Sequence, residues 1–215
     1  MIRFSLFGFP VSVHWMFWLM AALLGGAATA STPLQMTATL ITIAVIFVSI
    51  VVHELGHAFA MRHFGDRVVE ITLYTFGGFA RGSSWRTRKE DIIICAAGPA
   101  FGALLALLSL VLLRTLPVDN VWVLFVLGKL VFINVIWTIF NLLPIYPMDG
   151  GRISMALFGP GREGKALMLS MVCAVALALW QLSMGSLWNT LLLGSFAVDN
   201  YKMLHHQPRV DWMKP

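Results

Sequence analysis

The chain has 215 residues, of which 59% are hydrophobic and only 12% are charged, and its formal net charge is +5. A soluble globular domain carries roughly 25% charged residues, so this composition excludes that class and indicates a membrane protein. The basic residues lie in the connections between apolar runs, where they report orientation in a lipid bilayer rather than binding to nucleic acid.

Apolar stretches of about 20 residues predict the membrane spans of this chain. Six such stretches cover approximately residues 11–30, 36–57, 92–113, 121–143, 167–182 and 187–198. We therefore expect an all-α polytopic membrane protein with about six transmembrane helices. It should form a single domain over residues 1–215, with a short cytoplasmic tail from about residue 203.

The lysines and arginines are distributed unevenly between the two sides of these spans. If the N-terminus is cytoplasmic, 13 of the 15 basic residues fall in cytoplasmic segments. The positive-inside rule then predicts a multi-pass protein with both termini in the cytoplasm. We expect its location to be a bacterial plasma membrane. A cleaved signal peptide ending near Ala30 is an alternative, but Arg3 alone makes a weak charged region and the apolar stretch is long.

A metal-binding motif, His53-Glu54-Leu55-Gly56-His57, ends the second predicted span. On a helix, H-E-x-x-H places both histidines on one face, where they can share one zinc ion while the glutamate acts as a base. Ionisable groups inside a membrane span are costly and are therefore functional candidates. The alternative is a chance pentapeptide with two packed histidines. His14, near the start of the first span, is more often an interfacial or hydrogen-bonded residue than a ligand.

A β-prone segment at residues 68–79 follows this motif and includes Gly77 and Gly78. Its composition predicts a strand or small hairpin between the second and third spans. Such a strand could be purely structural, or its edge could pair with an extended peptide. The sequence leaves these two interpretations open.

A third metal ligand is expected because a catalytic zinc takes three protein ligands and one open position. The fourth span ends in residues 141–151, where two prolines and two glycines interrupt the helix. Asp149 lies in this segment, on the same side of the membrane as the end of the second span. Taken alone, Asp149 would be a solvated turn residue, but the H-E-x-x-H motif favours metal binding.

The paired motifs H-E-L-G-H and N-x-x-P-x-x-P-x-D-G resemble those of the site-2 protease family of intramembrane zinc metalloproteases. The resemblance implies zinc held by His53, His57 and Asp149, with Glu54 as the catalytic acid and base. It also implies that Asn141 helps to hold the substrate or the oxyanion. The implied substrate is a single-span membrane protein cleaved within the bilayer, as in regulated intramembrane proteolysis.

Two features depart from family patterns. Many members have an asparagine where this chain has Gly102, which puts a polar role for the third span in doubt. Some compact members carry C-terminal nucleotide-sensing CBS domains, whereas only a short polar tail follows residue 198 here. We therefore expect a compact six-span type without adenylate sensing.

Two other functions compete with proteolysis. A divalent-metal transporter would use H-E-x-x-H as a pore site, but it needs further polar ligands across the bilayer. A non-catalytic zinc scaffold would have no use for a base such as Glu54. The sequence does not decide whether the protein forms a homo-oligomer or has a regulatory membrane partner.

Overall fold

The structure is a computed structural model that describes residues 1–75, 77–82, 87–117 and 119–205. Phe76 of the predicted β-prone segment and the tail from residue 206 lie outside the described residues. Within the described ranges, four β-strands and seven α-helices follow one another in the order β1 (Ile2–Leu6), β2 (Phe9–Val13), α1 (Trp15–Leu24), α2 (Pro33–His63), β3 (Glu70–Tyr74), β4 (Gly77–Arg81), α3 (Arg88–Thr115), α4 (Val121–Leu142), α5 (Asp149–Phe158), α6 (Glu163–Ser183) and α7 (Leu187–His205).

The chain divides into two compact units. The first unit contains the strands, α1, α2, the part of α3 from Ala97 onward and α4 as far as Thr138. The second unit contains the start of α3, the end of α4 and helices α5 to α7. The prediction of a single domain over residues 1–215 stays a prediction.

A four-stranded sheet in the order β1-β2-β3-β4 belongs to the first unit. β1 and β2 form an antiparallel hairpin, β2 pairs with β3 in parallel, and β3 pairs antiparallel with β4. The hairpin turns at Phe7 and Gly8, both with positive φ angles of 51° and 77°, as a tight hairpin requires. Alternate side chains form a fully buried face, namely Phe9, Val11, Val13, Ile71 and Leu73.

The N-terminal hairpin corrects two expectations. Strands were expected only between the second and third spans, and residues 11–30 were expected to form the first span. Residues 11–13 instead complete β2, because their alternation buries one face of a strand. Helix α1 has only ten residues and ends at Leu24, with Gly25 as its C-cap. It is therefore about 15 Å long, half the thickness of a bilayer core.

Helix α2 carries the proposed metal ligands and is the longest described helix, with 31 residues. It begins with a capping box in which the Thr32 side chain accepts from the Gln35 backbone amide and the Gln35 side chain accepts from the Thr32 amide. Near its other end, the Arg62 guanidinium donates to the carbonyls of Phe7 and Gly8, each at 3.1 Å. Both ends of the helix are thus fixed, and its C-terminal end is joined to the sheet.

Four of the described helices are long and apolar enough to cross a membrane, namely α2, α3, α4 and α6. The chain is therefore a mostly helical, multi-pass membrane protein with a small sheet. Helix α7 continues to His205, past the predicted end at residue 198, and contains Asp199 and Lys202. In the second unit, α6 and α7 pack through small residues such as Ala174, Ala178 and Ala197.

Candidate metal centre

The first unit holds the two histidines of the motif one helical turn apart in α2. The His53 and His57 side chains are buried, and their Nε2 atoms lie 3.1 Å apart. Their ring planes are nearly perpendicular, at 82°. Two nitrogen ligands at about 2.05 Å from one tetrahedral zinc would be about 3.3 Å apart. The imidazoles therefore have the spacing that one shared metal ion requires.

The His57 ring lies directly against the backbone of Gly98, near the start of the first-unit part of α3. A Cβ added to Gly98 would collide with Nε2 and Cε1 of His57. Gly56 of α2 also lies close to the backbone of α3, since a Cβ added to it would lie 2.5 Å from the carbonyl oxygen of Ala97. α2 and α3 therefore touch backbone to backbone at the metal motif. This explains the glycine in H-E-L-G-H and the glycine in A-G-P.

Strand β4 covers the Glu54 side chain, which is only 3% exposed. A Cβ on Gly78 would lie 2.5 Å from Cγ and 2.8 Å from Oε1 of Glu54. Gly77 is also tightly placed, with its Cβ position 3.0 Å from the Trp137 ring. β4 is the last strand of the sheet in the described part of the chain, so the strand whose face covers the proposed base also forms an outer edge of the sheet.

Asn134 in α4 is a buried polar residue that sequence reasoning missed. Its Nδ2 donates to the Ser49 hydroxyl and to the Leu130 carbonyl, each at 2.8 Å. Ser49 precedes His53 by one turn of α2, so this bond joins α4 to the helix of the motif. The available signal was an asparagine inside an otherwise apolar span, which is costly unless it is hydrogen-bonded.

Polar atoms of α4 also approach the Gly102 position of α3. A Cβ at Gly102 would lie 3.0 Å from Oγ1 of Thr138, 3.7 Å from Oδ1 of Asn134 and 4.0 Å from Nδ1 of His53. The polar groups at this place therefore come from the fourth helix, while the third contributes only backbone. The doubt about a polar role for the third span is consistent with this arrangement.

In the second unit, Asp149 is the first residue of α5 and its side chain is buried. A carboxylate in the first turn is stabilised by the partial positive charge of the helix N-terminus. Gly150 and Gly151 follow it, and Cβ atoms there would collide with the backbone of Leu142 and of Tyr146. The Asp-Gly-Gly sequence thus lets α5 begin directly against the preceding loop.

Arg152, one turn into α5, lies near several acidic groups of the same unit. Its guanidinium is 3.8 Å from the Asp91 carboxylate. Burial opposes the charged form, but the electrostatic influence of the neighbouring Cys95, Asp91 and Asp149 side chains raises the pKa of Arg152 above its ordinary value. Arg152 therefore remains a cation beside these groups.

The two remaining candidate site residues from the sequence are Asn141 and His14. Asn141 is half-buried in the last turn of α4 and belongs to the second unit. His14 is the N-cap of α1, where its Nδ1 accepts from the Met16 amide at 3.3 Å. This hydrogen bond engages Nδ1 in capping the helix, the hydrogen-bonded role that the sequence favoured over metal binding. His53 and His57 belong to the first unit and Asp149 to the second, and all three side chains are buried.

Comparison with known proteins identifies the family of the chain. A family model described as Peptidase family M50 matches residues 41–122 and 118–180. The chain belongs to this family. The resemblance to site-2 proteases that the motifs indicated is thereby confirmed. The matched region includes the H-E-x-x-H motif of α2 and the segment that contains Asp149.

Curated relatives and a solved structure are also similar to the chain. A relative from Synechocystis sp. is 32% identical over 178 residues, covering 75% of this chain and 46% of the relative. A zinc metalloprotease of Methanocaldococcus jannaschii is 29% identical over 155 residues, covering 72% and 44%. The structure of a site-2 protease from Methanocaldococcus jannaschii has a TM-score of 0.63 at 24% identity, covering 97% of this chain and 95% of that one. The chain spans less than half the length of these curated relatives.

Replacing Gly98 by alanine should weaken metal binding, because the new methyl group would occupy the position of the His57 ring. We expect Gly98→Ala to lower the affinity for zinc by about tenfold or more, as changes next to metal ligands commonly do. Gly128→Ala in α4 is the matched control, since nothing lies within 4 Å of its Cβ position. Equal zinc affinity of the two variants, measured by competition with a chelator, would contradict the packing of His57 on Gly98.

Proposed function

We propose that this chain is a zinc-dependent endopeptidase that hydrolyses a peptide bond within the membrane. The observation that carries the proposal is the buried pair His53 and His57, with Nε2 atoms 3.1 Å apart and Glu54 beside them. Membership of Peptidase family M50 supports a peptidase over a metal transporter, for which the comparisons give no support. We further propose that the two compact units act together as one protease domain.

Zinc is the metal that best fits the proposed ligands. Two imidazoles and one carboxylate are a donor set found in catalytic zinc sites, which keep a fourth position open. A relative from Methanocaldococcus jannaschii is named a zinc metalloprotease. When bound, zinc would polarise the scissile carbonyl and lower the pKa of a water molecule toward about 7. Glu54 would accept the proton of that water and pass it to the leaving amine.

Asp149 is proposed as the third ligand. Its burial at the start of α5 and its carboxylate chemistry support this role. We expect purified wild-type protein to contain about one zinc per chain, and both Asp149→Ala and His53→Ala to lose most of it. Asp199→Ala is a control that removes a carboxylate from α7. Metal analysis checks these contents, and full occupancy of Asp149→Ala would remove this residue from the site.

Glu54 is proposed to be required for chemistry and dispensable for metal binding. Glu54→Gln keeps the size and hydrogen-bonding capacity of the side chain but removes the base. We expect it to lower the turnover number by at least about 100-fold, the lower range for a lost general base, while zinc content stays at the wild-type value. Cleavage of a co-expressed membrane substrate at a comparable rate by both proteins would overturn the mechanism.

The proposed substrate is a single-span membrane protein that is locally unwound. A helical peptide bond is protected by its hydrogen bonds, so the substrate must become extended before attack. Glu54 lies against the face of β4, and the outer edge of the same strand offers a row of backbone groups with which an extended substrate would pair as an added strand. Asn141, at the end of α4, is proposed to hold the substrate or the oxyanion, in keeping with the resemblance on which its role rests.

The orientation in the membrane is a further part of the proposal. We propose six passes in a bacterial plasma membrane. In the first pass, α1 would cross about half of the bilayer core and the irregular segment from Gly25 to Thr32 the rest, and α7 would form the last pass. The placement of 13 of the 15 basic residues on one side supports cytoplasmic termini. In this orientation the C-terminal end of α2, with its H-E-x-x-H motif, lies toward the cytoplasm. The freed product would then enter the cytoplasm.

This orientation predicts where the substrate is cut. The scissile bond should lie in the cytoplasmic half of the substrate span, at helix-weakening residues. Mass spectrometry of the products locates the bond. Introducing proline or glycine near it should speed cleavage, and a run of leucines should slow it. A cut in the outer half of the span would show that the orientation, or the depth of the zinc, is wrong.

A further inference from the structure

The loop before Asp149 lacks regular secondary structure, although its residues Ile145 and Met148 are buried. Buried backbone groups require hydrogen-bond partners, and within a bilayer water cannot supply them freely. Some of these bonds form within the loop, such as the one from the Met148 amide to the Ile145 carbonyl at 2.8 Å. The two backbone groups of Tyr146 are bonded to side chains elsewhere in the second unit.

Ser170 of α6 and Asn200 of α7 bind these two groups. The Tyr146 amide donates to the Ser170 hydroxyl at 2.8 Å, and Asn200 Nδ2 donates to the Tyr146 carbonyl at 2.8 Å. Both side chains are at most 1% exposed. Asn200 Nδ2 also donates to the Phe196 carbonyl at 2.7 Å, which fixes its orientation on α7. One peptide segment is therefore held from two helices at once.

The position of Tyr146 is transmitted to Asp149 through direct backbone contact. Gly151 abuts the backbone of Ile145 and Tyr146, and Gly150 abuts the carbonyls of Leu142 and Leu143. The first turn of α5 consequently has no room to shift relative to the loop. Movement of Tyr146 would displace the carboxylate at the start of α5.

We propose that Ser170 and Asn200 are positioning residues that set the location of the Asp149 carboxylate for zinc. The inference rests on the proposed function, in which Asp149 is a ligand. Membership of the family does not assign this role, and Asn200 lies beyond residue 180, where the family match ends. Residues that orient metal ligands from outside typically contribute 10–100-fold to metal affinity.

Amide exchange tests the anchoring without any metal. In the full-length apo protein, we expect Ser170→Ala to accelerate exchange in the peptide that contains Tyr146. Ser183→Ala is the matched control, because it removes an exposed hydroxyl from the same helix. For Asn200→Ala the corresponding control is Asn189→Ala, an exposed amide of the same helix. Unchanged exchange in Ser170→Ala would overturn the proposal, even if Asn200→Ala fails to fold.

Zinc affinity tests whether the anchor acts through Asp149. We expect Ser170→Ala to weaken zinc binding by about tenfold. In an Asp149→Ala background, the same substitution should change the residual affinity by less than about twofold, because no third ligand is left to position. Equal weakening in both backgrounds would indicate a general structural role and overturn the inference. If the wild-type protein binds no zinc, the proposed function is wrong and the inference that rests on it is wrong as well. That result is obtained before any variant is compared, so it is distinguishable from a failure of the inference alone.

Discussion

The structure depends on the burial of charged and polar groups in an apolar helix, with backbone packed directly against them. His53, Glu54 and His57 are each at most 6% exposed. Leaving such groups in an apolar environment without partners would cost several kcal/mol, so their surroundings must be specific. Gly98 lies against the His57 ring, and Gly78 lies against the Glu54 carboxylate. Glycine at these positions leaves room for the proposed ligand His57 and the proposed base Glu54 while limiting their alternative orientations.

In the second unit, glycines also allow close backbone packing at the start of α5. Gly150 and Gly151 allow the turn that carries Asp149 to press on the preceding loop. A loop at membrane depth is tolerated only where protein covers it and satisfies its backbone. The Tyr146 amide donates to Ser170 of α6, and Asn200 of α7 donates to the Tyr146 carbonyl, so both backbone groups of this residue are satisfied. In the proposed function, the last two helices would therefore serve the chemistry by holding the segment that carries Asp149, although they carry no proposed ligand themselves.

The sequence was sufficient where the signal was local. H-E-x-x-H requires only one helical turn, and long apolar runs identified α2, α3, α4 and α6. The N-terminal hairpin was missed because the apolar residues of β2 are continuous with those of α1, so hydropathy merges them into one stretch. The contacts of Asn134 with Ser49 and of Asn200 with Tyr146 join residues 85 and 54 positions apart. No local pattern encodes such pairs.

The contact between Gly78 and Glu54 connects the sheet to the proposed chemistry. In the proposed pairing, a substrate strand would lie about 4.8 Å beyond β4, the usual spacing between neighbouring strands. Glu54 contacts the face of the same strand that would hold the substrate. The hydrogen bonds that keep a peptide extended would therefore also fix its distance from the base. Substrate unwinding and proton transfer would then both depend on the position of β4. The sheet that holds β4 includes the two strands that precede α1, and Arg62 of α2 donates hydrogen bonds to the turn between those strands.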